Sequence, residues 1–478
     1  MPAVTRTAED GVNPWLTLIC HAYPVRPRRW TGGEEAGSTS VLSAIATFAH
    51  HCGELLDRRR IAKCCAILLA FEIAAFVFFA AGTYGLIVPL KRPTSTDFVS
   101  FYAAGSLANA GTPALAYDRT AHYAAEQSAT QPGIRYNYFY YPPIFVALCA
   151  IIARLPYLPA FIAFQAAGFA LYGLVMVKIL GDWRWSTLLP VIAFPAVLWN
   201  IGVGQTAFLT ASLFGAATLM IDRRPVIAGL LFGVISYKPH FGLLIPVALA
   251  AGRHWRAFAA AALSAAGLAL GSLLLFGPST WAAFLSAATA ASPVYESGVK
   301  LAGYVTPFGA LRMLGMPPAA AFAVQGLVSL AMIAGVAWIW ARDLSLPVRA
   351  AALCAATVVA TPIVMWYDLV LAAVAGAWLC AGAKISTAER AVLAALVIAV
   401  VYPAEFAQTY HIPIGPIAAL AFVALIARIA WREAKADTPP AHHAAASRGD
   451  SRPERRAAQS PPAAGTSNAA IGTGATIG

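Results

Sequence analysis

Long apolar runs separated by short polar breaks organise the chain between about residues 66 and 431. The first run, 66–90, is long enough to cross a hydrocarbon core roughly 30 Å thick as a helix. A polar, aromatic stretch over 91–141 follows it. Apolar runs then recur at 142–155, 157–180, 187–202, 205–221, 225–238, 240–252 and 257–277. A second polar stretch, 278–304, precedes runs at 317–341, 347–363, 365–383, 390–408 and 413–431. The pattern predicts an all-α polytopic membrane protein with about 11–13 transmembrane helices and a long first outer loop carrying short interfacial helices. It divides the chain into an N-terminal tail over 1–60, mostly irregular with a weak helix over 40–56, a membrane domain over 61–432, and a disordered tail over 433–478.

Charge orients these runs. Basic residues mark the breaks at Arg58–Arg60 and Lys63, Arg223-Arg224, Arg253/Arg256, Arg342/Arg349, Lys384/Arg390 and Arg428/Arg432. Cytoplasmic loops carry such an excess of Lys and Arg, so both tails are expected in the cytoplasm and the stretches 91–141 and 278–304 outside. One count does not close. Four apolar runs lie between the outer loop at 91–141 and cytoplasmic Arg223, which is the wrong parity, so one of them is expected to be a re-entrant half-span. The pattern does not say which.

Composition sharpens the class. Hydrophobic residues make up 59% of the chain and charged residues 11%, against about a quarter charged in soluble domains. The net charge of +12 is dispersed beside apolar runs, which points to anionic lipid and away from nucleic acid. Seven cysteines show no ligand spacing and read as small core residues. No basic stretch followed by an apolar run opens the chain, so the first span is expected to serve as an uncleaved signal-anchor.

Several polar positions are candidates for chemistry. Asp97, directly after the first span, reads either as the cap of a short helix or as a catalytic carboxylate. Phe98, Phe101 and Tyr102 on that helix share a face suited to the membrane surface. The cluster Tyr136-Asn137-Tyr138-Phe139-Tyr140-Tyr141 reads as an interfacial aromatic belt, as a sugar-stacking surface, or as both. Gln205, in the break Gly202-Val203-Gly204-Gln205-Thr206, is placed to hydrogen-bond a substrate. Lys238-Pro239-His240 closes a hairpin whose arms of about 13 residues reach only about 20 Å, which leaves Lys238 below the surface and in need of an anionic partner. Trp366-Tyr367-Asp368 is an interfacial anchor with a cap or a substrate contact. Glu72, Glu405 and His411 are weaker candidates. No Walker loop, dinucleotide fingerprint, nucleophile elbow or zinc helix is present, and neither cofactor nor metal is expected.

Taken in order, Asp97–Gly105, Tyr141-Pro142-Pro143-Ile144-Phe145, Gly204-Gln205-Thr206, Ile227–Gly233 and Lys238-Pro239 resemble glycosyltransferase family 87, membrane enzymes of the GT-C class. These include polyprenyl-phosphate-mannose-dependent α-1,2-mannosyltransferases. The resemblance spans about residues 60–430. It implies a GT-C bundle with an active site on the outer face, roofed by the first long loop, and a general base at Asp97. It implies a polyprenyl-phosphate sugar donor and a glycolipid or glycan acceptor. Many relatives carry a histidine after the tryptophan of the late motif, where this chain has Tyr367. With a carboxylate for the acceptor proton and a cation for the departing phosphate, Asp97 is the expected base and Lys238, with His240 or Arg135, the expected phosphate site. Tyr102, Tyr138, Tyr141, Gln205, Trp366 and Asp368 are the expected substrate contacts. A transporter or flippase of lipid-linked sugars would share the spans and the lysine without needing Asp97, and a non-catalytic scaffold would need neither.

Overall fold

A computed structural model describes residues 39–82, 97–290, 301–401 and 409–436. Helices dominate them, and among the described residues the one β contact is an isolated bridge between Tyr304 and Met365. In chain order they are α1 (Thr39–Glu54), α2 (Arg58–Gly82), α3 (Phe98–Asn109), α4 (Arg119–Ala129), α5 (Pro143–Ile152), α6 (Tyr157–Leu180), α7 (Trp185–Ile192), α8 (Pro195–Val203) and α9 (Ala207–Met220). The hairpin follows as α10 (Pro225–Val234) and α11 (Ile245–Ala251), joined by 3-10 turns at Ile235–Tyr237 and Pro239–Gly242. Then come α12 (Trp255–Ala290), α13 (Pro307–Met313), α14 (Pro318–Trp340), α15 (Leu346–Ala360), a 3-10 turn at Trp366–Leu369, α16 (Val370–Gly382), α17 (Thr387–Val400) and α18 (Ile414–Ala436). Proline opens α5, α8, α10, α13 and α14, where its missing N–H costs nothing and its fixed φ suits the first turn. Asp118 caps α4 by accepting from the Ala121 N–H, and Ser386 with Glu389 forms a capping box on α17.

Four helices (α6, α12, α14 and α18) are each long and apolar enough to cross a membrane. Taken together, α7 and α8, bent by 54° at a short break, are also long and apolar enough, as a broken span or a re-entrant loop. The other apolar helices have 10–17 residues and are too short to cross alone. The protein is therefore an all-α, multi-pass membrane protein whose bundle mixes full-length and short helices. Burial sorts them: α15 is buried from Val348 to Ala360 apart from Arg349, whereas α12 and α14 expose Leu263, Leu270, Leu274, Leu275, Leu327 and Leu330. A helix apolar all round belongs at the centre of a bundle, and exposed leucines on long helices suit lipid.

The bundle has two unlike ends. At one end Arg58 pairs with Asp182 at 3.7 Å, Arg349 with Asp222 at 3.6 Å, and Arg432 with Glu389 at 2.6 Å. At the other lie Asp97, Gln205, Lys238 and Asp368. The segment 142–155 stays at this second end. Tyr141 before α5 bonds Gln205, and Tyr157 after it packs edge-on against Phe98 with centroids 5.5 Å apart. Helix α6 then runs to the end that holds Asp182, α7 and α8 run back to Gly204, and the shorter α9 runs to the turn at Asp222. Helix α5 thus starts and ends at the same end of the bundle.

Two expectations change. Phe98 and Phe101 do not lie on the membrane surface but are buried against Phe161, Phe164, Tyr141 and Phe145, because α5 and α6 cover that face. The polar stretch from 278 is not a loop at its start. It continues α12 to Ala290 across a kink at Gly277, where φ is 78°, and its remainder through residue 300 lies outside the described residues. So do Glu405 and the tail from 437. Helix α1 is ordered and abuts α17 at Gly53 and Thr387. Cys149 and Cys354 are buried as small core residues, whereas Cys64 and Cys380 are exposed.

Candidate active site

Asp97 opens α3 but does not cap it, since its side chain accepts no bond from the first turn. The capping reading is therefore overturned. Its Oδ2 instead accepts from Gln205 Nε2 at 2.8 Å, a partner 108 residues away. Burial raises the carboxyl above the usual carboxylate range, opposed by the Gln205 bond and the Lys238 charge and reinforced by the charge of Asp368. A carboxylate held with raised proton affinity is suited to take a proton from a hydroxyl.

Gln205 is itself fixed on every polar atom. Its Oε1 accepts from the Tyr141 hydroxyl at 3.0 Å and the Thr206 N–H at 3.1 Å. Its carbonyl accepts from Gln165 Nε2 at 3.2 Å, and Gln165 Oε1 accepts in turn from Asn200 Nδ2 at 3.2 Å. Asn200 Oδ1 accepts from the Ala207 N–H, stitching the end of α8 to the start of α9. Gly204 makes this junction possible. Its φ of 72° ends α8 in the left-handed region, and a Cβ there would lie 2.5 Å from Phe98 Cβ. A glycine at this point lets the break between two helices meet the helix that carries Asp97.

Lys238 is buried at the hairpin apex, as its short arms predict, and its Nζ lies 2.6 Å from Asp368 Oδ1. Asp368 is the anionic partner the lysine needed. Its Oδ2 also accepts from the Met365 N–H at 3.2 Å, so the expected cap is present beside an ion pair that the sequence had not assigned to it. The Phe241 and Tyr367 rings lie 4.5 and 5.7 Å from Nζ and favour a cation between them. Behind the site, Gly229 and Gly233 of α10 face the α12 backbone at Ala257 and Ala261, a close small-residue crossing that seats the hairpin.

The family model of glycosyltransferase family 87 matches residues 139–362. Over that stretch, a little under half of its length, the chain is similar to glycosyltransferase family 87. No curated protein and no solved structure matches it. The matched stretch holds Tyr141, Gln205 and Lys238, while Asp97 lies before it and Asp368 after it.

Of the residues singled out, Asp97, Tyr141, Gln205, Lys238 and Asp368 converge. Trp366, two residues before Asp368, is buried against Gly415 of α18. The Tyr102 hydroxyl donates to the Leu155 carbonyl at 3.0 Å, fastening α3 to the turn after α5. Arg135, Tyr138 and His240 are exposed, with His240 edge-on to Phe241. Glu72 is half-buried on α2 and His411 is exposed. Sequence reasoning passed over Gln165, Asn200 and Tyr237. Tyr237 shares a 2.6 Å hydrogen bond with Thr210 and stacks on Tyr141 and Phe145. Gln165 and Asn200 did carry a signal, since polar side chains inside apolar runs demand partners.

Proposed function

We propose that this protein moves a sugar, a hexose such as mannose, from a polyprenyl-phosphate donor to an acceptor hydroxyl on a glycolipid or glycan at the outer face of the bacterial cytoplasmic membrane. The observation that carries the reading is a carboxylate fixed by Gln205 and lying within the field of a buried lysine, inside a chain similar to family 87. Asp97 takes the acceptor proton, the acceptor oxygen attacks the anomeric carbon, and the bond to the phosphate oxygen breaks with its electron pair leaving on the phosphate. A single displacement inverts the anomeric centre. Asp368 occupies one of the three ammonium donors of Lys238, and two remain to stabilise the departing phosphate. The basic loops cluster at the end opposite Asp97, which by the positive-inside rule supports an outward-facing site and cytoplasmic tails.

The test is transfer from a labelled polyprenyl-phosphate hexose in membranes holding wild type or Asp97→Asn. Loss of transfer in a folded Asp97→Asn protein is expected. Full transfer would remove the base assignment.

A further inference from the structure

Helix α4 lies in the first long loop and presents two buried ionisable side chains one turn apart. His122 and Glu126 are both fully buried, on one face by their i, i+4 spacing. His122 Nε2 lies 3.0 Å from the Ser100 carbonyl. A carbonyl only accepts, so Nε2 carries the proton and Nδ1 is left as an acceptor. Ser100 in turn donates from its hydroxyl (2.8 Å) and its N–H (3.2 Å) to the Asp97 carbonyl. His122 therefore grips the first turn of the helix that begins at Asp97.

Glu126 grips the other arm of the same loop. Both its oxygens lie 3.2 Å from the Asn137 N–H, in the extended segment that runs to Tyr141. Asp97 and Tyr141 then meet at the two ends of one amide, through Gln205 Nε2 and Oε1. The loop leaves the site at Asp97 and returns at Tyr141, and α4 fastens both arms.

We propose that His122 and Glu126 form a positioning pair that clamps the two arms of the loop and so sets the geometry of Asp97 and Tyr141 on Gln205. The proposal rests on the catalytic reading of Asp97. His122 Nδ1 has no hydrogen-bond partner and lies 3.8 Å from Glu126 Oε1. A protonated Glu126 offers that nitrogen a donor, while an ionised one confronts its lone pair with negative charge. Burial lowers His122 to about 4 and raises Glu126 to about 8, so near neutrality both are uncharged and the clamp is closed. The other charged or titratable groups facing Glu126 are Asp97 of the opposing arm and Tyr136 of the returning arm, with Arg119 over the Tyr136 ring at 5.4 Å. Above about pH 8, Glu126 ionises; its bond from the Asn137 N–H is kept, and the clamp is strained on the His122 side, where the Nδ1 lone pair meets the negative charge.

The experiment measures hexose transfer by the full chain in membranes across pH 6–10. Glu126→Ala and His122→Ala are expected to lower kcat about ten-fold or more, with donor KM changed about two-fold at most. Glu126→Gln keeps a donor for Nδ1 and an acceptor for Asn137, so it recovers most of the rate lost in Glu126→Ala. It is also expected to remove the fall in kcat expected of wild type through about pH 8. Wild-type kcat in Glu126→Ala, or the same alkaline fall in Glu126→Gln as in wild type, overturns the clamp. An inactive Asp97→Asn beside a fully active Glu126→Ala would remove the clamp alone. An active Asp97→Asn would remove the catalytic reading beneath it.

Discussion

The two ends of the bundle handle charge in opposite ways. At the basic end the buried carboxylate of Glu389 meets guanidinium. Glu389 receives Arg432 at 2.6 Å and Arg428 at 3.5 Å, and Arg432 also donates to the Lys384 carbonyl. Arg428 and Arg432 remain largely open to solvent. At the other end one buried lysine serves two carboxylates, and the second, Asp97, is held by a neutral amide. Arginine pairs with spare donors make durable joints. An under-compensated carboxylate is poised to accept a proton. The first end reads as architecture and the second as chemistry.

Substitutions can break that contrast. Asp97→Asn is expected to give the largest effect, a loss of transfer of about 10²–10⁴-fold with unchanged thermal stability, because the amide still accepts from Gln205 but takes no proton. Lys238→Ala comes next and acts on the fold as well. It strands Asp368 in the interior at a cost of about 3–5 kcal/mol, read as a fall in melting temperature of the purified protein. The double variant Lys238→Met with Asp368→Asn should recover most of that stability without recovering transfer. Gly204→Ala should cost about 1–2 kcal/mol through its left-handed φ and lower kcat by pushing Phe98, and so Asp97, out of place. Arg432→Ala should cost about 1–2 kcal/mol and leave transfer unchanged, since Arg428 and the Ser386 N–H still attend Glu389.

The smallest expected effect is on stability against pH. The folded value of Glu126, about 8, lies above its ordinary 4.5. Its stabilising contribution is complete below the ordinary value and lost as pH rises through about 8. Wild type should therefore lose stability relative to Glu126→Gln between about pH 5 and 9, measured by melting in detergent. A flat difference across that range would show that Glu126 does not titrate there.

Much of the site was legible because membrane burial makes polar residues conspicuous. Lys238 stood out from the short arms of its hairpin, and Asp97 from its place after the first span. What the pattern misjudged were contacts made at a distance. Asp97 looked like a cap because local spacing permits one, but the carboxylate turns to Gln205, a choice made by the docking of α8 against α3. Phe98 and Phe101 looked like surface residues because a face rich in aromatics suits lipid and core equally. His122 and Glu126 drew no notice, since in a polar loop nothing local marks two side chains as buried.

By itself the sequence determined the membrane class, the all-helical architecture, the chain segments bearing the site and the family motifs, because these follow from local hydropathy, helix length and short-range spacing. The tertiary structure decided that 142–155 stays at one end, that Asp368 is the counter-ion of Lys238, and that Gln205 joins Asp97 to Tyr141. Each of these is a contact between residues far apart in the chain. Periodicity says which face of a helix is apolar. Only packing decides what that face meets.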